Sequence, residues 1–304
     1  MAIRDVTWPF LLVVDVRGRP TGWAALNGPI VTMPQQQQLA ELRYAGYRLV
    51  GFSSYLTFPV AEPGDPLEYG AICEAWCHCF RTPAQYLPAD RPRLLLSVSD
   101  FTDPHRLSPA RVTRDHEEAF DVIYVGAFET WKREAKNWRL AGRCLPRLCG
   151  ELGLRALVIG APDDELSCTP GVRFSPLLPW PELLALLARA RLLFVPSVLD
   201  ASPRLLAEAL CLDVPVLVHR DILGGWKYVN RFTGRFFRDE TDVVAAAQTC
   251  LEAATAPRAW FCANHGPYLA GRRLLGLIRS LDPELSERSH VALAERCEEP
   301  LAEP

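Results

Sequence analysis

The 304-residue chain has no excess of either charge. Its 33 Lys and Arg stand against 36 Asp and Glu, for a formal net charge of -3. No overall basic field therefore points to nucleic acid or an anionic membrane surface. Long apolar runs are also missing. The longest, Leu177 to Leu199, is broken by Glu182, Arg189 and Arg191 and cannot cross a bilayer as a helix. There is no Gly-x-Gly-x-x-Gly after a strand, no phosphate loop ending in Gly-Lys-Ser/Thr and no Gly-x-Ser-x-Gly elbow. Those absences weigh against a dehydrogenase, a kinase and a serine hydrolase. The ten cysteines lack the regular spacing of a small disulfide-framed domain, so a reducing, cytoplasmic setting is expected.

What is present is a globular composition. At 49% hydrophobic and 23% charged, the chain buries enough apolar surface to exclude disorder, and its length suggests about two domains. The apolar start FLLVV is preceded by Asp5 and followed by Asp15, which reads as a buried strand and not as a secretory signal.

From about residue 119 onward, short apolar β-rich runs alternate with amphipathic helical patterns, the signature of a βαβ sheet. Strands are expected at Asp121–Phe128, Leu154–Pro162, 172–176, Arg191–Val198, Val214–His219 and Thr233–Phe237. Helices are expected in NWRLAGRCLPRLCGELG, PWPELLALLARAR, SPRLLAEALCL and DETDVVAAAQTCLEA. In a doubly wound parallel sheet, ligands sit at the carboxyl ends of the strands. The first half reads less clearly. FLLVVDV, YRLVGFSSYLTF and RLLLSVSDF suggest strands, while Gln35–Gly46 and the segment EYGAICEAWCHCF suggest helices. A polar stretch between Pro104 and Glu118 reads as the boundary. The expected domains are therefore 1–118, 119–280 and an acidic, frayed tail at 281–304.

The best chemical signal is VPSVLDASPRLLAEALCLDVPVLV, residues 195–218. Asp200 falls just past an expected strand end, and Glu208, seven intervening residues on, lies on the helix that follows. Ser202 and Pro203 read as cap and first helical position. A bare helix N-terminus holds phosphate, and carboxylates hold hydroxyls. Together they describe a site for a sugar attached to a nucleotide diphosphate. Read alone, the same two acids are a capping region and an ordinary helix-surface residue.

At these residues the sequence resembles the retaining glycosyltransferases of the GT-B fold, the large family-4 kind. That family's acid-x7-Glu motif, followed by a Cys-Gly-Val-Pro-Val-like strand, reads here as Asp200, Glu208 and CLDVPVLV. Upstream, VGAFETWKREAKN resembles its strand ending in Val-Gly-Arg and the basic loop after it, with Gly126, Lys136 and Asn137 in place. Downstream, ILGGWKYVNRFTGRFF resembles its Gly-Gly turn and Thr-Gly strand. The match spans roughly residues 121–250.

The resemblance implies an α/β GT-B protein: two facing Rossmann-like domains, the N-terminal one reduced. It implies transfer of a sugar from a nucleotide-diphospho sugar to the hydroxyl of a carbohydrate or glycoconjugate acceptor, with retention, and no cofactor or metal. Glu208 would bind the ribose hydroxyls and Asp200 the transferred sugar. Lys136, with Lys132 or Arg133, would neutralise the diphosphate, assisted by amides near Ser202. Gly126 would lie against the donor, and the pair Gly224 and Gly225 reads either as a plain turn or as a close approach of backbone to the donor. The sequence departs from the family in using Asp at position 200. It also has ASPR in place of a glycine-rich segment, which makes Arg204 a candidate cation, and Ala127 where an arginine is expected.

Other candidates are weaker. Asp100, with Asp103 and His105, ends an expected strand where family members carry acceptor-contacting or catalytic groups. Of these three, Asp100 is taken as catalytic, alongside Asp200 and Lys136. Trp23, Trp131, Trp180, Trp226 and Tyr228 could stack on a sugar ring or base, and Trp226, beside the glycine pair, is the best placed. Cys73, Cys77, His78 and Cys79 lack the paired spacing of a zinc site and read as buried thiols on a helix. The rival readings are a non-catalytic sugar-nucleotide-binding protein and a nucleotide-sugar epimerase.

Overall fold

The computed structural model describes residues 3–60, 67–112, 119–126, 130–160, 164–285 and 287–297. Among them, twelve strands form in chain order. They are β1 (Phe10–Val14), β2 (Pro20–Leu26), β3 (Arg48–Phe52), β4 (Ala75–His78), β5 (Arg93–Leu95), β6 (Val122–Val125), β7 (Ala156–Ile159), β8 (Val172–Ser175), β9 (Leu192–Val195), β10 (Val216–His219), β11 (Gly234–Phe237) and β12 (Ala292–Ala294). The helices of eight residues or more are α1 (Met33–Tyr44), α2 (Trp138–Leu152), α3 (Trp180–Leu187), α4 (Arg204–Cys211), α5 (Val243–Glu252), α6 (Pro257–Asn264) and α7 (Pro267–Arg279). No helix among the described residues is long and apolar enough to cross a membrane.

The chain divides into two compact units, one of residues 1–101 and 265–304, the other of residues 102–264. This differs from the boundaries read in the sequence. Residues 102–118 fall with the second unit, and the segment from His265 onward returns to the first. The segment expected to fray instead supplies β12, which pairs antiparallel with β1 through Leu12↔Ala294 and Val13↔Leu293. The physical reason is burial. Val291 is fully buried, and Ala270, Leu274, Leu275 and Ile278 of α7 pack on Val13, Trp23, Val50 and Phe52 of the sheet.

The first sheet has the order β12-β1-β2-β3-β4-β5. β2 to β5 run parallel, and β1 is antiparallel to both of its neighbours. Two of its strands went unread in the sequence, β2 and β12. A third, β4, stands where a helix was expected across the cysteine-rich segment. Only Tyr69–Ile72 forms a helical turn there, while Ala75–His78 forms a fully buried strand. Cys73, Cys77 and Cys79 are buried thiols, as expected. The glutamine run opens α1 behind a capping box: the Gln35 amide donates to Thr32 Oγ1, and the Thr32 amide donates back to Gln35 Oε1.

The second sheet is all parallel, in the order β11-β10-β9-β6-β7-β8. Counted within the unit, this is the doubly wound 3-2-1-4-5-6 order, with its switch point between β6 and β9. Side chains alternate along each strand, so both faces of the sheet are buried. Ile123, Leu157, Leu193 and Val216 meet Leu206 and Leu210 of α4 on one face. Val122, Val158, Phe194 and Leu217 meet Leu145 of α2 and Val243 of α5 on the other. All six strands and four helices read in this half of the sequence are present.

Candidate functional site

The switch point brings two loops together within the second unit. The chain leaving β6 passes Gly126 and reaches Lys136. The chain leaving β9 runs through Pro196 and Ser197 to Asp200. Lys136 Nζ donates to Asp200 Oδ2 at 2.7 Å. The two side chains keep 36% and 19% of their surface exposed. A pair this wet is worth about 1 kcal/mol or less.

Three features hold Lys136 where it is. The buried Tyr124 hydroxyl, on β6, donates to the Lys136 carbonyl at 3.1 Å. Burial pushes that phenol well above its ordinary range, so it stays a donor. Asn137 takes a left-handed backbone, φ 54°, which Asn tolerates better than most residues. Its Nδ2 donates to the Pro196 carbonyl at 3.1 Å, tying the two loops directly. A hollow beside them is lined by Tyr124, Lys136, Phe194, Ser197, Asp200 and Pro203.

Glu208 sits one turn along α4 with its side chain only 5% exposed. Its Oε1 accepts from Arg204 Nε at 3.0 Å and from Trp180 Nε1 at 3.1 Å. Among the described residues both donors go to the same oxygen, which leaves Oε2 for another donor. Arg204 itself is 71% exposed.

The remaining residues singled out in the sequence fall as follows. Arg133 stacks its guanidinium 4.3 Å over the Trp138 ring, and the side chain of Lys132 lies outside the described residues. Ser202 is not the helix cap. Pro203 occupies that position without a side-chain hydrogen bond, and α4 begins at Arg204. Gly126 packs against the Trp138 ring. Gly224 donates its amide to the Asp200 carbonyl at 2.8 Å. A Cβ on Gly224 would meet the Ala201 carbonyl oxygen at 1.7 Å, so only glycine fits beside the Asp200 loop. Gly225 has φ 75°. Trp226 is half-buried against the core, Trp23 and Tyr228 are fully buried, and the side chain of Trp131 lies outside the described residues. Trp180 alone of these aromatics is described as exposed, at 46%.

Asp100 is a correction. It was expected to face substrate, but it is 0% exposed, inside the first unit. A carboxylate removed from water needs partners, and it has them. The Ser97 amide donates to Oδ2 at 2.7 Å, and His265 Nδ1 lies 2.8 Å from Oδ1. The backbone joins in, the Gly266 amide donating to the Asp100 carbonyl at 2.9 Å. His265 was missed in the sequence because it lies 165 positions from its partner and no local spacing signals the contact. Among the described residues no group of three or more His, Cys, Asp or Glu could hold a metal ion.

No protein-family model and no curated protein matches the chain. Solved structures do. AviGT4, a glycosyltransferase involved in avilamycin A biosynthesis, is 18% identical, with 78% of this chain and 69% of that chain covered and a TM-score of 0.56. A glycosyltransferase from Rickettsia africae is 12% identical, over 84% and 76% of the two chains, with a TM-score of 0.60. HepE of Anabaena in complex with UDP-glucose is 13% identical, over 83% and 77%, with a TM-score of 0.57. At these identities the likeness is one of fold, and that fold is the GT-B fold of glycosyltransferases.

Proposed function

We propose that this protein is a glycosyltransferase that moves a sugar from a nucleotide-diphospho sugar to an acceptor hydroxyl, with retention at the anomeric carbon. The observation that carries the reading is the meeting of Lys136 and Asp200 at the switch point, with Glu208 one helical turn deeper. The fold it shares with HepE, which is described with UDP-glucose, supports the same reading.

The chemistry follows from the charges. As the anomeric C–O bond breaks, its electron pair goes to the departing diphosphate. A cation already aimed at that oxygen lowers the barrier without reorganisation. Lys136, fixed by Tyr124 and Asn137, supplies it when the diphosphate displaces Asp200. The released Asp200 then accepts hydroxyls of the sugar, and Glu208 Oε2 accepts a ribose hydroxyl. The acceptor oxygen forms the new bond on the face the diphosphate leaves, and its proton passes to the departing phosphate oxygen.

The test is incubation with a panel of nucleotide sugars and simple glycoside acceptors, measuring released nucleoside diphosphate and the anomeric configuration of the product by NMR. The expected result is acceptor-dependent release from one donor with the configuration retained, reduced at least a hundredfold in Lys136→Ala. Donor binding with no turnover would contradict transfer in favour of a binding protein. Isomerised donor without acceptor would favour an epimerase, and an inverted product would contradict retention.

A further inference from the structure

We infer that the first unit carries a second binding site, at the turn between β1 and β2, and that it takes a small zwitterion with a carboxylate at one end and an ammonium at the other. β2 starts at Pro20 and belongs to the parallel run β2 to β5. The turn before it, residues 15–19, therefore stands at the amino ends of these strands. That is the end away from the carboxyl ends, where such a sheet holds its usual ligands. Beside the turn is a cavity of about 440 Å³, within the roughly 300–1,000 Å³ of small-molecule sites.

The cavity is lined by opposite charges from two segments. Buried Asp15 organises the cationic side. Its Oδ1 accepts from the Arg17 amide at 2.8 Å and the Arg19 amide at 3.0 Å, and its Oδ2 accepts from Arg19 Nε at 2.9 Å. Arg288 Nη1 lies 3.0 Å from the same Oδ2. Burial alone would raise the Asp15 carboxyl, but the two amides and the Arg19 guanidinium hold it below its ordinary value. With both oxygens engaged, Asp15 is not itself a ligand group. It fixes two guanidiniums at the cavity, each with further N–H groups, and a guanidinium fork matches the two oxygens of a carboxylate. The segment after α7 brings Glu284 and Glu287 to the same cavity, both exposed.

Among the described residues, none of Arg17, Glu284 and Glu287 is in an ion pair, although all three line this one space. Unlike charges left apart around a cavity suit a ligand that carries both signs. Its carboxylate meets Arg17, Arg19 and Arg288, and its ammonium meets Glu284 and Glu287. A phosphate dianion is disfavoured, because the two glutamates repel it more strongly than a single charge. A short peptide with free termini has the charges and the size.

The experiment is an NMR titration of the full chain with triglycine, N-acetyltriglycine and triglycinamide, which carry both charges, the negative alone and the positive alone. The variants are Arg17→Ala and the double change Glu284→Gln with Glu287→Gln. These side chains make no described hydrogen bond or ion pair, and melting temperatures check that each variant folds. Triglycine is expected to bind at least about tenfold more tightly than either blocked peptide. Arg17→Ala is expected to weaken triglycine about tenfold and leave triglycinamide unchanged. The double glutamine variant is expected to weaken triglycine by a similar factor and to bind N-acetyltriglycine no more weakly than the wild type. A blocked peptide binding as tightly as triglycine would overturn the inference. So would unchanged triglycine affinity in either variant, or no binding to the wild type up to about 10 mM. None of these outcomes bears on the proposed donor site, whose Lys136, Asp200 and Glu208 belong to the other unit.

Discussion

The two units bury carboxylates for opposite ends. In the first, Asp100 is sealed from water and held by the Ser97 amide and His265 of the same unit. In the second, Asp200 stands past a strand end in a half-wet ion pair, and Glu208 sits one turn into α4 with two donors on one oxygen. Sealed acids hold structure together, because exposing or orphaning them is costly. Acids at the carboxyl ends of a parallel sheet, paired weakly, are available for binding. The two sheets differ in the same sense. The second is built from one continuous stretch of strand and helix. The first is closed at its edge by β12, from the other end of the sequence, and covered by α7.

That contrast breaks most visibly at Asp100. Asp100→Ala removes one partner from His265 and from the Ser97 amide, and breaking a buried pair in this way costs about 3 kcal/mol. Hydrogen exchange should accelerate in β1 to β5 while the amides of β6 to β11 keep their protection. An equal loss in both units would break the distinction.

A smaller effect sharpens it. Burial pushes the thiol of Cys144 up to about 12 and those of Cys149 and Cys250 up to about 11. The thiolate is the reactive form, so these groups stay inert near pH 8. Alkylation of the native protein followed by mass spectrometry should mark the exposed Cys168 and Cys262 first, and spare Cys73, Cys77 and Cys79 of the first unit as completely as the core thiols of the second. Early labelling of Cys77 would show that β4 is not a core strand.

The second unit was legible because each parallel strand is followed by its own helix, so apolar runs and helical periods alternate without interruption. Asp200 and Glu208 could be singled out together because both lie on one strand–loop–helix segment. Lys136 was legible through the resemblance, although its contact with Asp200 spans 64 positions. The first unit resisted the same reading. β2 begins at a proline and carries Gly22, which hides its pattern. β4 is buried on both faces and shows no alternation. β12 has only three residues, of intermediate burial, in a stretch whose acidic surroundings suggested fraying. The contact of Trp180 Nε1 with Glu208, across 28 positions, was hidden for another reason. Sequence ranked Trp226 above it for lying next to the glycine pair, but chain neighbourhood does not tell which indole turns inward.

The central claim is that Lys136, Asp200 and Glu208 form one donor site, and the most direct measurement is a crystal structure of the protein soaked with its best-binding nucleotide sugar. The account predicts a phosphate oxygen about 3 Å from Lys136 Nζ, with the Lys136–Asp200 contact opened and a ribose hydroxyl on Glu208. A nucleotide sugar bound elsewhere, with the 2.7 Å contact intact, would contradict it.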